Sequence, residues 1–526
     1  MSRVPKALSP HAVPLAVAAT AFTLAVGLPA GDPDMWWQLA SGRWMVEHRD
    51  GIRVDVFSST ATGEPYALGE WLGEVILYGA YATLGWMGVA LLRAGLVAVA
   101  AFAVTRLALR GAPARVAIPV AALALLLSKP TWTDRPQLFT LALFPVLLDL
   151  CFAARGGSRA ALSALVPLVA LWSNAHGGYA LGIAIVWIFA AEAVVERRPA
   201  LGWLAAAAAT TLLVSALPGA LPLRRAAAHI AGPTVRIVEE SPIDPLTPFG
   251  ALFALFLGAM LLTLLLRGGT LLHAFVLVPM LGLALTAQRH VPLFGFAAVP
   301  LLAGPLTVLV EDVGTTLKRV IAGGVAADKE AGGSPSGLYV FPYQPGTDPY
   351  RPGTERHTRS NETPAGPDPA TGTPAGPEPE VPPRPSSKSS FPLALAAALW
   401  LGALASIATV DPRPDLTPYP AKAVPALEAS RGVLLNEYDW GGYLMWQVPS
   451  RPVFVDGRLF PFAGNGVMRQ YQEAMHVLPS WRAVIERWNV AQALLRPDRA
   501  LVQALRDDGW TVGVQDRDFV LLERPR

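Results

Sequence analysis

Two aspartates separated by one residue follow the first long apolar segment of the chain. Asp32 and Asp34 stand in the run D-P-D-M-W-W-Q-L. A carboxylate at a membrane surface can act as a general base on an acceptor hydroxyl, and two together can hold a divalent cation, Mg²⁺ or Mn²⁺. We therefore consider both aspartates candidate catalytic residues and candidate metal ligands, although such a pair does not require a metal. The alternative is an interfacial helix capped by Asp34, with its tryptophans at the membrane surface.

Further acidic residues occur at the end of the same loop, residues 31–72, and just after it. Glu70 and Glu74 are four positions apart in the run G-E-W-L-G-E, so on a helix they share a side. Glu70 is therefore a candidate substrate-binding residue beside the two aspartates.

Three later polar turns carry cationic residues or histidines between apolar segments. Arg135 lies in T-D-R-P-Q, His176 in W-S-N-A-H-G-G, and Arg289 and His290 in Q-R-H-V-P. An arginine can bind a lipid phosphate through a bidentate fork, and a histidine can donate a hydrogen bond or move a proton. All four are candidate substrate-binding residues. Taken singly, each could instead be an interfacial anchor.

The C-terminal part of the chain contains a second group of candidates. The run N-E-Y-D-W-G-G-Y-L begins at residue 436, and D-G-R follows at 456–458. Aromatic rings beside a glycine pair provide a stacking surface with close backbone approach, which suits sugar or peptide binding. The candidates for acceptor binding are Asp439, Tyr443, Asp456 and Arg458. The alternative is a structural turn with core aromatics.

The elements that position these residues are predicted to lie in a membrane. Of 526 residues, 52% are hydrophobic and 15% are charged, against roughly 25% charged in soluble proteins. Apolar blocks approach the roughly 20 residues that span a bilayer. The net charge of +3, with arginines at segment ends, gives no basis for a nucleic-acid partner.

The arginines fall in alternate gaps between apolar blocks, as expected for cytoplasmic loops. This pattern predicts about eleven transmembrane helices, a cytoplasmic N-terminus and an extracytoplasmic C-terminal domain. The predicted spans are 12–30, 85–107, 115–128, 137–154, 160–173, 179–195, 201–217, 250–266, 271–287, 293–310 and 391–409. The polar motifs then share the outer face. Residues 218–249 form another outer loop. Its Glu239 and Glu240 could complete an acidic site, but a solvated face is favoured.

The sequence predicts a polytopic α-helical membrane protein with a small C-terminal α/β domain. Its parts are a membrane core (1–311), a disordered Pro/Gly/Ser-rich cytoplasmic linker (312–390), a last transmembrane helix (391–409) and an extracytoplasmic domain (410–526). In that domain strands are predicted at 432–436, 452–455, 492–495 and 519–522, with helices at 468–477, 480–488 and 500–506.

The motifs D-P-D-M-W-W, D-V-F-S, G-E-W-L-G-E, R-P-Q, W-x-N-x-H-G-G and R-H-x-P-L-F resemble those of an uncharacterised bacterial family of polytopic proteins. That family is similar to the GT-C glycosyltransferases, which use polyprenyl-phosphate sugars and carry an acidic pair in the first outer loop. The resemblance implies that Asp32 and Asp34 occupy the acidic-motif positions. D-W-G-G-Y is also faintly similar to the W-W-D-Y-G acceptor motif of the oligosaccharyltransferase catalytic subunit, but the order differs and a glycine is inserted.

These features favour a bacterial inner-membrane glycosyltransferase that moves a sugar from a polyprenyl phosphate to an extracytoplasmic glycan, lipid or protein. One aspartate would deprotonate the acceptor, and Arg289 with Arg135 would stabilise the leaving phosphate. The alternatives are a flippase or transporter of lipid-linked glycans, an O-antigen polymerase or ligase, and a non-catalytic scaffold whose outer domain binds a partner.

Overall fold

The computed structural model describes residues 11–66, 69–216, 241–326, 391–458, 460–462 and 464–525. Within these ranges the chain is mostly helical and ends in a small sheet. The helices of the first part are α1 (Ala12–Val26), α2 (Pro33–His48), α3 (Trp71–Gly111), α4 (Ala114–Ser128), α5 (Gln137–Arg155), α6 (Arg159–Ala175), α7 (Tyr179–Val195), α8 (Leu201–Ala216), α9 (Pro248–Arg267), α10 (Leu271–Thr286), α11 (Val291–Ala326) and α12 (Phe391–Ser406).

Among the described residues, six helical stretches are long and apolar enough to cross a membrane, which indicates a membrane protein. They are Trp71–Gly111, Ala114–Thr131, Gln137–Arg155, Pro248–Arg267, Gln288–Thr316 and Pro392–Thr409. Five further apolar helices, α1, α6, α7, α8 and α10, have 15 to 17 residues. Helices occur at all eleven predicted positions, but the number of spans is not confirmed because these five are short for a bilayer core.

The third helix contains a break that the apolar pattern did not predict. Gly85 has φ 59° and ψ −145°, values that favour glycine because a Cβ would clash there. Residues 71–84 therefore form a separate segment before the apolar stretch predicted at 85–107. Glu70 immediately precedes this segment and Glu74 lies in its first turn, beside α2.

Helix α11 extends further than expected, into the predicted linker. It runs from Val291 to Ala326 without interruption, so residues 312–326 are helical and not disordered. Ala, Val, Lys and Arg in this stretch are compatible with a helix. The rest of the predicted linker, 327–390, lies outside the described residues, and so do 217–240 of the predicted outer loop.

The C-terminal part is a four-stranded sheet with short helices, in agreement with the α/β prediction. The strands are β1 (Val433–Asn436), β2 (Val490–Leu495), β3 (Thr511–Gln515) and β4 (Val520–Glu523), in the order β1-β2-β4-β3. β1 pairs with β2 in parallel, and the other pairs are antiparallel. The helices are α13 (Val424–Ala429), α14 (Gly441–Gln447), α15 (Val467–Met475), α16 (Trp481–Arg487) and α17 (Ala500–Asp507).

Two sequence predictions in this domain differ from the structure. The segment 452–455 is not a strand of the sheet, and its Val453 instead bridges to Ser58 of the first loop. β3 was missed because its residues are mostly exposed and give little apolar signal.

The C-terminal domain packs on the first loop through α14 and α2. A Cβ at Gly442 would lie 3.2 Å from the backbone nitrogen of Trp37, so glycine permits this close approach. Trp36 packs edge-on against Tyr443 and Tyr419 with ring centroids 5.2 and 5.5 Å apart. These contacts build one apolar core from the first loop and the C-terminal domain.

Candidate functional site

Four polar turns meet at one end of the helical bundle. They are the turn before α2, the start of α3, the α4–α5 turn and the α6–α7 turn, and they carry Asp32 and Asp34, Glu70, Arg135 and His176. Trp71 Nε1 also donates to Asn174 Oδ1 at 2.9 Å, which joins the start of α3 to the α6–α7 turn. The sequence prediction that these motifs share one face agrees with this arrangement. We call these five residues the acidic cluster.

Arg135 links the two aspartates of the cluster. Its Nε lies 3.0 Å from Asp32 Oδ2 and its Nη1 lies 2.7 Å from Asp34 Oδ2. The remaining oxygens also accept hydrogen bonds, because Asp32 Oδ1 receives the backbone N–H of Asp34 at 2.9 Å and Asp34 Oδ1 receives Trp37 Nε1 at 3.1 Å. Asp32, not Asp34, is the N-cap of α2, because its oxygen accepts this first-turn N–H.

The two aspartates differ in access to solvent. The side chain of Asp32 is 6% exposed and that of Asp34 is 31% exposed. Burial raises the pKa of Asp32, while the Arg135 guanidinium opposes this rise. Asp34 is therefore the member of the pair that a substrate can reach, and Asp32 organises the turn.

The donors around the aspartates do not fit a divalent cation. All four carboxylate oxygens face an N–H donor, and a guanidinium lies where a cation bridging the two carboxylates would bind. In the part of the chain that the structure describes, no group of three or more His, Cys, Asp or Glu side chains has metal-site geometry. The predicted Mg²⁺ or Mn²⁺ therefore finds no support in this arrangement.

A buried ion pair supports the turn that carries Arg135. Arg93 Nη1 donates to both oxygens of Asp134, and the two side chains are each 1% exposed. Arg93 also donates to the carbonyls of Ala25, Leu28 and Pro29, at the end of α1. Burial raises the pKa of Asp134 to about 6, and Arg93 opposes the rise.

Glu70 lies on the opposite side of the cluster, against His176. His176 Nε2 is 3.3 Å from Glu70 Oε1. The backbone N–H of Gly178 donates to His176 Nδ1 at 3.0 Å, so Nδ1 is unprotonated and Nε2 carries the proton. Thr140 Oγ1 receives Trp172 Nε1 at 2.8 Å and lies 2.6 Å from the same Nδ1. The imidazole is thus fixed in the tautomer that donates to Glu70.

Burial controls the charge state of this pair. It raises the pKa of Glu70 to about 7, and Arg135 opposes the rise. Burial also lowers the pKa of His176 to about 3, assisted by the charges of Arg135 and Arg289. Near neutral pH, His176 is therefore a neutral hydrogen-bond donor, and Glu70 can either hold or release a proton.

The remaining predicted residues, Arg289 and His290, lie in the turn before α11. Arg289 is exposed, and its charge acts on His176. His290 Nδ1 lies 3.2 Å from the carbonyl of Leu283 and is half-buried. Of the two, Arg289 is the one whose position beside the cluster suits an anionic ligand.

Three of the C-terminal candidates are buried. Tyr443 is 2% exposed in the core shared with α2. Arg458 donates to Asp456 at 2.7 and 2.6 Å and to Asp55 of the first loop at 2.5 Å, and all three side chains are inaccessible. The prediction that Tyr443, Asp456 and Arg458 bind an acceptor finds no support here, because packing of the domain on the first loop covers them.

Asp439 is the accessible member of this group. Its side chain is 59% exposed and pairs with Arg496 at 3.0 Å. It lines a cavity of about 220 Å³ with Glu437, Tyr438, Tyr471 and Arg499 among others. Gly457 connects this domain to the cluster, because a Cβ there would lie 2.7 Å from Asp34 Oδ1.

Comparison of the structure with known structures finds similar folds. The chain is similar in fold to an archaeal oligosaccharyltransferase. The Archaeoglobus fulgidus enzyme AglB, bound to an inhibitory peptide and a dolichol-phosphate, aligns with a TM-score of 0.52 and 12% identity over 92% of this chain and 69% of that chain. The form tethered to an acceptor peptide with the NVT sequon gives a TM-score of 0.51 and 14% identity over the same shares.

These identities establish a fold and no more. No sequence-family model matches the chain. No curated protein matches it either. The fold agrees with the GT-C resemblance seen in the sequence motifs, whereas the bacterial family suggested by those motifs stays a prediction.

The sequence analysis missed several residues that build the site. Arg93 lies inside an apolar helix, where an unpaired arginine is costly, and this was a signal for a buried partner. Thr140 had no sequence signal, since a polar residue near the end of a predicted span is common. Trp172 stood in the quoted W-x-N-x-H-G-G motif but was given no role. Asp55 stood in the quoted D-V-F-S motif, but its partner Arg458 is 403 positions away.

Proposed function

We propose that the protein is a membrane glycosyltransferase that moves a sugar from a polyprenyl-phosphate donor to an extracytoplasmic acceptor. The acidic cluster, with Arg289 beside it, carries the proposal. It brings accessible carboxylates and a cation together at one end of a set of apolar helices. The fold it shares with an oligosaccharyltransferase solved with a dolichol-phosphate supports a lipid-linked donor. We place the protein in a bacterial inner membrane, with the cluster and the C-terminal domain outside.

In this reaction the acceptor attacks C1 of the sugar while the bond from C1 to the phosphate oxygen breaks. The negative charge on the leaving phosphate grows, and a guanidinium stabilises it most strongly where water is excluded. Arg289, in the turn before α11, is our candidate for this task. Arg135 is committed to the two aspartates, so its role is to fix the acidic side of the site.

A flippase or transporter fits the described residues less well. Such a protein would favour charged residues or broken helices at the middle of the membrane. Here the described ion pairs of the helical bundle lie towards its two ends, and Arg93, inside α3, pairs with Asp134 at the end that holds the cluster. The end opposite the cluster holds Arg110–Asp149, Arg155–Glu192 and Arg267–Asp312.

Mass spectrometry of lipids that co-purify with the full chain tests the proposal. The matched variants are Arg289→Ala and Arg159→Ala, since Arg159 is also exposed but lies at the opposite end, at the start of α6. We expect a polyprenyl-phosphate sugar with the wild type and Arg159→Ala, and its loss in Arg289→Ala. Bulk phospholipid alone in all three samples would instead favour the scaffold alternative, with the outer domain as the binding part.

A further inference from the structure

The carboxylates of the acidic cluster are not equivalent as proton acceptors. Three of the four oxygens of Asp32 and Asp34 accept an N–H, from Arg135, Trp37 or the backbone, and Asp32 Oδ2 lies 3.0 Å from Arg135 Nε in an ion pair. A proton that arrived on either aspartate would remove the negative charge that the guanidinium pairs with, and would weaken that link. Proton transfer to this pair works against the contacts that shape the site.

Glu70 is surrounded differently. Its carboxylate contacts a neutral imidazole, whereas the two aspartates contact a guanidinium. The side chain of Glu70 is 27% exposed. The charged groups that act on it or lie on the same helical segment are Arg135, Asp34 and Glu74. The backbone N–H of Gly177 also donates to it. Glu70 can therefore gain a proton without breaking an ion pair with arginine.

Hydrogen bonds to His176 fix its imidazole so that it donates to Glu70. Gly178 and Thr140 both direct hydrogen atoms at Nδ1 of His176, which leaves the Nε2–H facing Glu70. Trp172 in turn orients the Thr140 hydroxyl, since its N–H donates to Oγ1. A neutral donor steadies the ionised carboxylate without the strong pKa depression that a cation would cause.

We propose that Glu70, and not the Asp32–Asp34 pair, takes the proton from the acceptor. This inference rests on the proposed function and names the proton acceptor of that reaction. His176 and Thr140 are positioning residues, which act through Glu70. The pKa of about 7 for Glu70 is consistent with a base that works near neutral pH.

In the proposed step one bond to C1 of the sugar forms, one breaks, and Glu70 takes up a proton. The acceptor oxygen forms a bond to C1 of the sugar with its own electron pair, and its proton moves to Glu70 Oε. The bond from C1 to the phosphate oxygen breaks, and the polyprenyl phosphate leaves with that electron pair. Glu70 then releases the proton to solvent, which its partly exposed side chain permits.

The first experiment measures release of hexose from a synthetic polyprenyl-phosphate hexose, with water as the acceptor, by the full chain in lipid nanodiscs. We expect the wild-type rate to rise with pH along a limb centred near 7. Glu70→Gln should lower the rate at least 100-fold at pH 8. Glu64→Gln, the same change at an exposed position of the same loop, should leave both rate and profile unchanged.

The positioning residues are tested by the same profile. Removing the Nε2–H in His176→Ala removes a donor to the ionised form of Glu70, so the limb should move to higher pH. Thr140→Val should move it in the same direction by less, because Gly178 still donates to Nδ1. A merely structural role would change the rate without moving the limb.

The proposal is overturned if the limb persists in Glu70→Gln and is lost in Asp34→Asn, which would assign the proton to Asp34. It is also overturned if Glu70→Gln stays within threefold of the wild type. If the wild type releases no hexose, the donor of the proposed function fails. Infrared difference spectra between pH 5 and pH 9 then decide separately whether a carboxyl titrating near 7 disappears in Glu70→Gln.

Discussion

Arg93 holds Asp134 with one nitrogen, Nη1, which lies 2.6 and 2.8 Å from its two carboxylate oxygens. The same guanidinium donates to carbonyls at the end of α1, only a few residues before Asp32. Asp134 in turn precedes Arg135 in the chain. A single buried side chain thus sets the spacing between the turn that carries the aspartates and the turn that carries their arginine.

Removing one member of this pair is therefore expected to destabilise the protein. Arg93→Met leaves a buried carboxylate and several carbonyls without their donor, which costs about 3–5 kcal/mol. The exposed pair Arg115–Glu311 provides the control, because Arg115→Met should cost no more than about 1 kcal/mol. Thermal unfolding in detergent compares the two. Equal melting temperatures would contradict a supporting role for Arg93.

A methyl group at position 457 is expected to disturb the site from the C-terminal domain. In Gly457→Ala the new Cβ would lie 2.7 Å from Asp34 Oδ1, so the aspartate or the domain must shift. Small displacements of reacting groups cost up to about 100-fold in rate, and we expect a loss of about 10- to 100-fold in sugar transfer. Gly464→Ala is the matched control, because no atom lies within 4 Å of the methyl group that it would introduce.

Chelation tests whether a divalent cation takes part. Because N–H donors already face all four oxygens of Asp32 and Asp34, we expect EDTA to leave the transfer rate within about twofold. Added Mg²⁺ or Mn²⁺ should not raise it. Loss of activity in EDTA that Mn²⁺ restores would show that Arg135 moves aside when the site is loaded.

The raised pKa of Glu70 predicts a pH-dependent change in stability. The folded-state pKa is about 7 against 4.5 for the unfolded chain, so the folded state favours the protonated form. This contribution is fully present below about pH 4.5 and is lost as the pH rises through 7. Between pH 4.5 and pH 8.5 the melting temperature of the wild type should therefore fall relative to that of Glu70→Gln, because glutamine does not titrate. A difference that does not change with pH would contradict the shift.

The local parts of the fold were predictable from the sequence. Apolar blocks placed the helices within a few residues, except at the start of α3 and the end of α11. Alternation of arginine-rich and polar turns brought Asp32, Arg135 and His176 to one end. The break at Gly85 was not predictable, because glycines are common in membrane helices. The aspartate that caps α2 was assigned to Asp34 instead of Asp32, since either fits the residue pattern.

The C-terminal candidates show where sequence reasoning failed. Tyr443 and Arg458 have residue types that suit ligand binding, and nothing in their neighbourhood predicts burial. Their surroundings come from the first loop, through Trp36 and Asp55, more than four hundred positions earlier. Such long-range packing leaves no local pattern, so the structure was needed to separate these residues from the accessible Asp439.

The interface between the first loop and the C-terminal domain has a consequence for biosynthesis. Asp55 and Trp36 are translated early, but Arg458 and Tyr443, which cover them, leave the ribosome only after the helical bundle has been made. Until then the first loop lacks its buried ion pair and its aromatic core. The nascent chain therefore exposes an incomplete loop, and the geometry around Asp34 is established only once synthesis has passed Gly457.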